Sequence, residues 1–232
     1  MLTLLLTSML TLAFNIQPAN AEPRTWIVDD DGPADFHTIQ EAINTASLGD
    51  TVYVYNGTYS ENLVLNKTVT LVGENRSTTI LDGQGVGTVV SIRANDVYIN
   101  GFTIRGSGPE RLKDTGIYLN SSRNIVITGN ILTNNTSGVW LEKALNNAID
   151  ENVIANSTVH GIYLGNSSSN AFSGNTIVNS DYGIWLERFS NKNAIRRNTV
   201  MGNSMGISLG WKSEGNTVYD NIVTENDDGV YL

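Results

Sequence analysis

Cysteine is absent from the 232-residue chain, and proline occurs only four times. The lack of cysteine excludes disulfide bonds, thiolate metal sites, iron–sulfur clusters and thiol nucleophiles. Basic residues are also few, since 14 Lys and Arg stand against 23 Asp and Glu, a net charge of −9. That charge argues against non-specific binding to nucleic acid or anionic membranes. A hydrophobic content of 40% is enough for a core and argues against bulk disorder.

Charge is missing altogether from the first 21 residues. An apolar run from Leu4 to Phe14 precedes Ala19-Asn20-Ala21, which has the form of a signal-peptidase site. We therefore predict a secretory signal over residues 1–21; a membrane anchor is the alternative, although the run is shorter than the ~20 residues that span a bilayer. No other segment of the sequence is predicted to insert into a membrane. The mature protein is predicted to be secreted or held at the cell surface, or periplasmic in a Gram-negative cell.

Asparagine, in contrast, is abundant, with 29 residues in the chain. Asparagine suits turns and tolerates the left-handed backbone region. Several of these residues begin N-x-S/T sequons, a motif that gives weak support for export. The sequons begin at Asn56, Asn66, Asn75, Asn120, Asn134, Asn135, Asn156 and Asn166.

A word of the form Gly-(Ile/Val)-x-Leu recurs in the second half of the chain. Its glycines are 22, 23, 22, 23 and 23 residues apart: Gly116, Gly138, Gly161, Gly183, Gly206 and Gly229. Two asparagine series share this period: Asn124, Asn147, Asn170, Asn193 and Asn216; and Asn130, Asn152, Asn175, Asn198 and Asn221. A fixed period of this length indicates a repeat architecture.

Apolar residues keep the same phase and define the repeating unit. One series is Ile127, Ile149, Phe172, Ile195 and Val218, and another is Leu132, Ile154, Ile177, Val200 and Val223. Alternation after each glycine predicts strands, and about three short strands fill one period without room for a helix. We predict an all-β solenoid of parallel coils ~4.8 Å apart, with asparagine amide ladders between the turns.

The part before the regular repeats is predicted to contain a cap and irregular coils. Residues 22–50 form the cap, 51–115 the first coils, and 116–232 the regular repeats. Thr38-Ile-Gln-Glu41 fits a capping box that begins a helix. Its apolar face would close the open end of the solenoid: Phe36, Ile39, Ile43 and Ala46.

Two further features depart from the regular pattern. Arg105 to Asp114 breaks the phase and is predicted to be a loop inserted on one side of the stack. The sequence stops after Leu232 without a polar capping segment. We expect that the natural chain continues or that this end associates with a second molecule.

The opening coils resemble the pectin-lyase-like superfamily. The residues that carry this resemblance are Asp31 to Ile43, Thr51-Val-Tyr-Val54, Gly57-Thr-Tyr59, Glu61-Asn62 and Leu71-Val-Gly-Glu74. The later repeats resemble the NosD-type β-helix family, named for a periplasmic accessory protein of a copper enzyme, nitrous-oxide reductase. Together the resemblances imply a right-handed, single-stranded parallel β-helix. They imply no single function, because this fold hosts lyases, hydrolases, esterases, epimerases and surface proteins.

The variable residue of the glycine word should face outward, because its neighbours face inward. This column reads Tyr118, Trp140, Tyr163, Trp185, Ser208 and Tyr231. A row of aromatic rings with carboxylates nearby is suited to binding sugar rings. The five aromatic residues are therefore candidate glycan-binding residues. The alternative is a structural ladder, because Tyr and Trp also favour strands and stack on adjacent coils.

Glu142 and Glu187 lie on the same face, two residues beyond Trp140 and Trp185. Two coils separate them by ~9.6 Å, close to the carboxyl separation of inverting glycosidases. Lys143 and Arg188 follow them directly, which favours salt-bridged surface residues over a general acid. The first hypothesis is therefore a non-catalytic glycan-binding or surface-polymer-binding protein. The alternatives are a polysaccharide-active enzyme and an accessory protein like that for which NosD is named.

Residues for a metal site are scarce. Copper prefers Cys, Met and His ligands, and the mature chain has only His37, His160, Met201 and Met205. We therefore predict no metal site at these residues. Two acidic clusters, Asp29-Asp30-Asp31 and Asp227-Asp228, could contact calcium, although such clusters are more often solvated turns. No cofactor is predicted otherwise.

Overall fold

The coils of the chain stack into a parallel β-helix, as predicted. The computed structural model describes residues 22–111 and 113–232, so the predicted signal segment lies outside the described residues. No helix in these two ranges is long and apolar enough to cross a membrane. Successive strands pair parallel to the strands one coil away, so that each coil adds one strand to each of three sheets.

Sheet 1 has nine strands, and sheets 2 and 3 have eight each within the described ranges. Sheet 1 contains β1 (Thr25–Val28), β2 (Thr51–Val54), β5 (Thr70–Gly73), β8 (Tyr98–Asn100), β11 (Val126–Thr128), β14 (Ala148–Asp150), β17 (Ala171–Ser173), β20 (Ala194–Arg196) and β23 (Thr217–Tyr219). Sheet 2 contains β3 (Gly57–Tyr59), β6 (Thr79–Asp82), β9 (Thr103–Arg105), β12 (Ile131–Thr133), β15 (Val153–Ala155), β18 (Thr176–Val178), β21 (Thr199–Met201) and β24 (Ile222–Thr224). Sheet 3 contains β4 (Leu63–Leu65), β7 (Val90–Ile92), β10 (Ile117–Asn120), β13 (Ser137–Glu142), β16 (His160–Gly165), β19 (Tyr182–Glu187), β22 (Met205–Leu209) and β25 (Asp228–Tyr231).

Like residues stack on like residues in the interior, which confirms the predicted apolar ladders. In sheet 1, Ile127 pairs with Ile149, and Ile149 pairs with Phe172. In sheet 2, Leu132 pairs with Ile154 in the same manner. All five of these side chains are fully buried. The core is therefore a column of stacked side chains rather than a contact between two separate layers.

Asparagine ladders run along the corners of the stack, as predicted. Each ladder amide accepts a hydrogen bond from the asparagine one coil earlier: Oδ1 of Asn175 accepts from the backbone N–H and from Nδ2 of Asn152. Nδ2 of Asn175 in turn donates to the carbonyl of Ile149 at 2.7 Å. One member of the predicted series is wrong. Ile125, not Asn124, stacks on Asn147, because this coil has 22 residues rather than 23.

The predicted helix is α1 (Ile39–Thr45), and its apolar face packs on the core. The predicted capping box is wrong, since Thr38 makes no side-chain hydrogen bond to the helix. The carboxylate of Glu61, from the next coil, instead accepts the N–H groups of Ile39 and Gln40 at 2.8 and 2.9 Å. A carboxylate at a helix N-terminus satisfies the same unpaired donors that a capping box would satisfy.

Helix α1 also covers one edge of sheet 3, as the cap prediction requires. The side chain of Gln40 accepts the N–H of Val64 at 2.8 Å and donates to its carbonyl at 3.3 Å. Val64 belongs to β4, the edge strand, so an amide side chain takes the place of a further strand there. The predicted inserted loop lies between β9 and β10.

The opposite end of the stack presents apolar side chains to solvent. In the last coil, inward positions are exposed: Val230, whose counterpart Ile207 one coil earlier is buried, is 51% exposed, and Leu232 is 86% exposed. Self-association through this coil stays a prediction.

We expect Ile149→Asp to prevent folding or to cost several kcal/mol of stability, because it places an unpaired charge between two apolar coils. Thr217→Asp is the control, since Thr217 is exposed in the same sheet. Thermal unfolding measures both variants. Equal melting temperatures would contradict the interior assignment of Ile149.

The amide ladders generate a second expectation. Asn175→Ala leaves the N–H of Asn152 and the carbonyl of Ile149 buried without their partners, at a cost of about 2–4 kcal/mol. Asn66→Ala should be nearly neutral, because Asn66 is exposed and its side chain makes no hydrogen bond to another described residue. Urea unfolding compares the two variants, and an equal loss in both would contradict the ladder's contribution to stability.

Candidate functional site

The outer face of sheet 3 carries three columns of side chains in register. The first column is Ser137, His160, Tyr182, Met205 and Asp228. The second is Tyr118, Trp140, Tyr163, Trp185, Ser208 and Tyr231, as predicted. The third contains Asn120, Glu142, Gly165 and Glu187. The face is therefore built from corresponding positions of successive repeats.

The first column is unexpected, and the repeated glycine explains it. A Cβ atom on Gly138 would lie 2.5 Å from Cγ2 of Ile154 and 2.6 Å from the carbonyl oxygen of Gly161. Glycine therefore faces the interior, directly before the inward residue Val139. Two consecutive inward positions break the strict alternation of a strand, so the residue before each glycine joins the outer face. Strict alternation applied to the sequence would have placed His160 inside.

The outward rings pack together into one cluster around His160. The His160 ring lies 5.0 Å from Tyr163, 5.3 Å from Trp185, 5.6 Å from Tyr182 and 5.8 Å from Trp140, measured between ring centroids. Trp140 and Tyr163 are themselves 4.3 Å apart, and Tyr182 stacks on Trp185 at 4.6 Å. The ladder hypothesis is thus partly right, because these rings stabilise one another.

The rings of the predicted outward column differ in their exposure. Trp140 and Tyr163 are only 8% and 3% exposed, although neither belongs to the interior core. They are covered by neighbouring rings on the outer face, whereas Tyr118 and Trp185 remain partly exposed. Tyr231 is 59% exposed on the last coil, beyond Ser208, and does not reach the cluster. The accessible part of the column is therefore shorter than the sequence suggested.

A groove of about 440 Å³ runs over this face. Aromatic side chains line it together with two carboxylates and two cationic groups: Tyr118, Trp140, Tyr163, Trp185, Glu142, Glu187, Lys113 and Arg188. Lys113 comes from the inserted loop, so that loop forms part of the wall. The structure thus brings together four of the five aromatic residues predicted to bind glycans and both predicted carboxylates.

The two carboxylates have different partners. Oε1 of Glu187 accepts a hydrogen bond from the Tyr163 hydroxyl at 2.6 Å and forms an ion pair with Nε of Arg188 at 2.9 Å. Oε1 of Glu142 accepts from Nδ2 of Asn166 at 3.1 Å. Glu142 also lies over Gly165, where a Cβ would come within 2.6 Å of its Oε2. Glycine at position 165 therefore makes room for the Glu142 carboxylate.

Burial and the nearby carboxylates both raise the pKa values of two tyrosines in the groove. Burial raises the pKa of Tyr163, and the hydrogen bond to Glu187 raises it further. Burial likewise raises the pKa of Tyr118, with a smaller contribution from the charge of Glu142. Both phenols therefore stay protonated near neutral pH and can donate hydrogen bonds.

His160 is a buried neutral base. It is 2% exposed, its Nδ1 lies 3.0 Å from Oγ of Ser137, and Nε2 has no hydrogen-bond partner among the described residues. Burial lowers the pKa of His160 to about 4, and the positive charge of Arg111 adds to this effect. Ser137 is fully buried as well, so the Ser137–His160 pair is not accessible as a nucleophile and base.

The two acidic clusters differ in the structure. The carboxylates of Asp29, Asp30 and Asp31 offer oxygen atoms within 4.8 Å of one another. Asp30 accepts the N–H of Thr58, and Asp29 accepts the N–H of Asp31, so both carboxylates hold the local backbone. Asp227 and Asp228 line a separate depression beside the ion pair of Arg111 and Asp181.

Comparison with known proteins gives the family. Residues 43–232 match the model of the family described as periplasmic copper-binding protein (NosD). The chain therefore belongs to the NosD family of parallel β-helix proteins. A cell surface glycoprotein of Methanothermus fervidus is 35% identical over 107 residues. The match covers 45% of this chain and only 17% of that relative's length.

Solved structures share the fold with this chain. An exopolygalacturonase of Yersinia enterocolitica superposes with a TM-score of 0.59 at 15% identity, over 90% of this chain and 57% of that one. An alginate lyase of a Paenibacillus species gives a TM-score of 0.56 at 14% identity, over 90% and 98%. At such low identity these likenesses show the pectin-lyase-like fold alone.

The described side chains do not fit a copper site. His37 and His160 are the chain's two histidines, and His160 is enclosed by aromatic rings. Nδ1 of His37 lies against the carbonyl of Asp29 at 2.8 Å. Met205 stands two coils from His160 in the first outward column. Copper centres gather several soft or imidazole ligands around one point, and these residues do not provide that arrangement.

We expect acid to destabilise the fold through His160. The folded state holds His160 neutral down to about pH 4, whereas the unfolded chain takes up a proton below about pH 6.5. This contribution is complete above pH 6.5 and is lost as the pH falls towards 4, at a cost of about 3 kcal/mol. His160→Gln should therefore lose less stability than the wild type between pH 7 and pH 4. The exposed His37→Gln variant is the control and should follow the wild type; identical profiles for all three proteins would rule out this contribution.

Proposed function

We propose that the protein is a non-catalytic, extracellular β-helix module that binds carbohydrate chains in the groove on sheet 3. The observation that carries the proposal is the composition of that groove, which combines aromatic rings with paired carboxylates and two cationic groups. The proposed location outside the cytoplasm is supported by membership in a family described as periplasmic and by the likeness to a cell surface glycoprotein.

The groove offers the two kinds of contact that a sugar ring needs. The partly exposed faces of Tyr118 and Trp185 can cover apolar C–H groups, and such burial contributes about 25 cal/mol per Å². Glu142 and Glu187 can accept hydrogen bonds from hydroxyl groups, and Lys113 can donate them. A rigid stack keeps these groups at fixed spacing, so little order needs to be gained on binding.

A polysaccharide-active enzyme is the second candidate, because the groove holds two carboxylates on alternate coils. In register they are two coils apart, or ~9.6 Å between backbones, near the upper limit for inverting hydrolysis. The contacts of Glu187 argue against a proton donor there, since its Oε1 accepts a hydrogen bond from Tyr163 and forms an ion pair with Arg188. Glu142 has fewer partners and is the better candidate for such a role.

We expect Trp185→Ala to weaken binding of an oligosaccharide by about 1–2 kcal/mol, which is about 5- to 30-fold in Kd. Trp211→Ala is the matched control, because Trp211 is 65% exposed but does not line the groove. Trp140 is less suitable, since its burial predicts a loss of stability on truncation. Isothermal titration against oligosaccharides selected from a polysaccharide panel measures both variants. The proposal fails if no glycan of the panel binds, or if both variants bind as the parent does.

The carboxylates separate the binding protein from the enzyme. In a binding protein, Glu142→Gln and Glu187→Gln should change affinity mildly. In a hydrolase, at least one should lower turnover by orders of magnitude while binding persists, because a general acid or base is lost. Release of reducing ends from the bound polysaccharide, with and without calcium, is the measurement. Turnover by the parent protein that Glu142→Gln abolishes would overturn the non-catalytic assignment.

A further inference from the structure

We propose that the folded chain carries N-linked glycans at Asn56, Asn75 and Asn156, and that the fold withholds its other five sequons. The sequence treats the eight sequons alike, whereas the structure divides them into two groups. This inference goes beyond the groove and depends only on export of the chain, not on glycan binding.

The chemistry sets the criterion for this division. A transferase joins Nδ2 of asparagine to C1 of a saccharide carried on a lipid phosphate. The C1–O bond breaks, the lipid phosphate leaves with its electron pair, and the amide proton passes to a base of the transferase. The motif also requires a hydroxyl two residues later, so the enzyme has to reach both groups. An acceptor in the folded state therefore needs an exposed amide nitrogen and an exposed hydroxyl.

Asn156 meets the criterion most clearly. Asn156 and Thr158 are both exposed, and both line an open depression of about 490 Å³. Oδ1 of Asn156 accepts a hydrogen bond from Asn179 at 3.2 Å. That contact orients the amide through its oxygen. Within the described part of the chain, Nδ2 of Asn156 makes no hydrogen bond.

Asn56 and Asn75 meet the criterion in the same way. Each is exposed, and so are the matching hydroxyl residues Thr58 and Ser77. Oδ1 of Asn75 accepts the N–H of Ser77 at 2.9 Å, and Oδ1 of Asn56 accepts the hydroxyl of Thr78. Both contacts use the amide oxygen, and neither amide nitrogen donates to another described residue.

Two sequons do not meet the criterion because the amide nitrogen of the asparagine already donates a hydrogen bond. Asn135 is 1% exposed, and its Nδ2 donates to the carbonyl of Ile104 at 3.0 Å while Oδ1 accepts the N–H of Ser107. Glycosylation there would break contacts inside the stack. Nδ2 of Asn166 donates to Glu142 in the groove at 3.1 Å.

Three sequons fail at the hydroxyl, although their asparagines are exposed. In each, the hydroxyl two residues later donates to a backbone carbonyl of a neighbouring coil or of the inserted loop. Thr68, in the sequon of Asn66, donates to Asn95 at 3.0 Å. The two others are Ser122, in the sequon of Asn120, which donates to Ile92 at 3.0 Å, and Thr136, in that of Asn134, which donates to Gly108 at 2.6 Å.

Glycopeptide mapping of the full chain, purified after export from its native cells, tests the proposal. We expect occupancy confined to Asn56, Asn75 and Asn156. Thr158→Val should remove one glycan mass without lowering the melting temperature, because Thr158 is exposed. Thr68→Val is the matched control and should leave the glycan mass unchanged. An unmodified native protein, or occupancy at any of the other five sites, overturns the proposal.

A second experiment shows whether the fold makes the selection. The unmodified folded chain and short peptides around Asn135 and Asn156 are incubated with an oligosaccharyl transferase and its lipid-linked oligosaccharide. Both peptides should accept the glycan, whereas the folded chain should accept it at Asn156 and not at Asn135. Modification of Asn135 in the folded chain overturns the selection, and so does a folded chain that stays unmodified at Asn156. Neither result changes whether an oligosaccharide binds the groove.

Discussion

In-register stacking of coils is the constraint on which the whole structure depends. The register of the parallel strands is fixed, because the apolar side chains of each coil have to stack on those of the next coil. The amide ladders also fix the register at the corners, where each asparagine accepts hydrogen bonds from the backbone and the side chain of its neighbour. A shift by one residue would bury polar groups and separate these amides. The repeat length is therefore fixed by hydrogen bonds as well as by packing.

The same register builds the groove on sheet 3. Because each coil contributes the same position, residues far apart in sequence become a continuous outer face at ~4.8 Å spacing. Glycine at the start of the strand adds a further column, and His160 and Tyr182 thereby join the rings of Trp140, Tyr163 and Trp185. Some of the aromatic area stabilises the stack and some remains open to a ligand. The buried rings fit the ladder hypothesis, and the partly exposed rings are those that the proposed glycan binding would use.

Family membership and site chemistry give different information about this chain. The NosD family model covers most of the chain, yet the side chains in residues 22–111 and 113–232 offer no arrangement suited to copper. The fold is shared with enzymes that act on polysaccharides, yet one groove carboxylate is held by Tyr163 and Arg188. Neither the family match nor the shared fold accounts for the aromatic groove. The proposed function therefore depends on the groove rather than on the fold.

The sequence alone determined the repeat, the three strands per coil, the interior ladders and the outward aromatic column. Each is a periodic feature, and periodicity survives in sequence because every coil repeats the same local geometry. The tertiary structure alone decided the exceptions. Glu61 rather than Thr38 caps α1, because the capping carboxylate comes from another coil. Asn124 lies outside its ladder because one coil is a residue shorter. The burial of Trp140 and the commitment of the Asn135 amide depend on contacts between coils, which no local pattern of residues records.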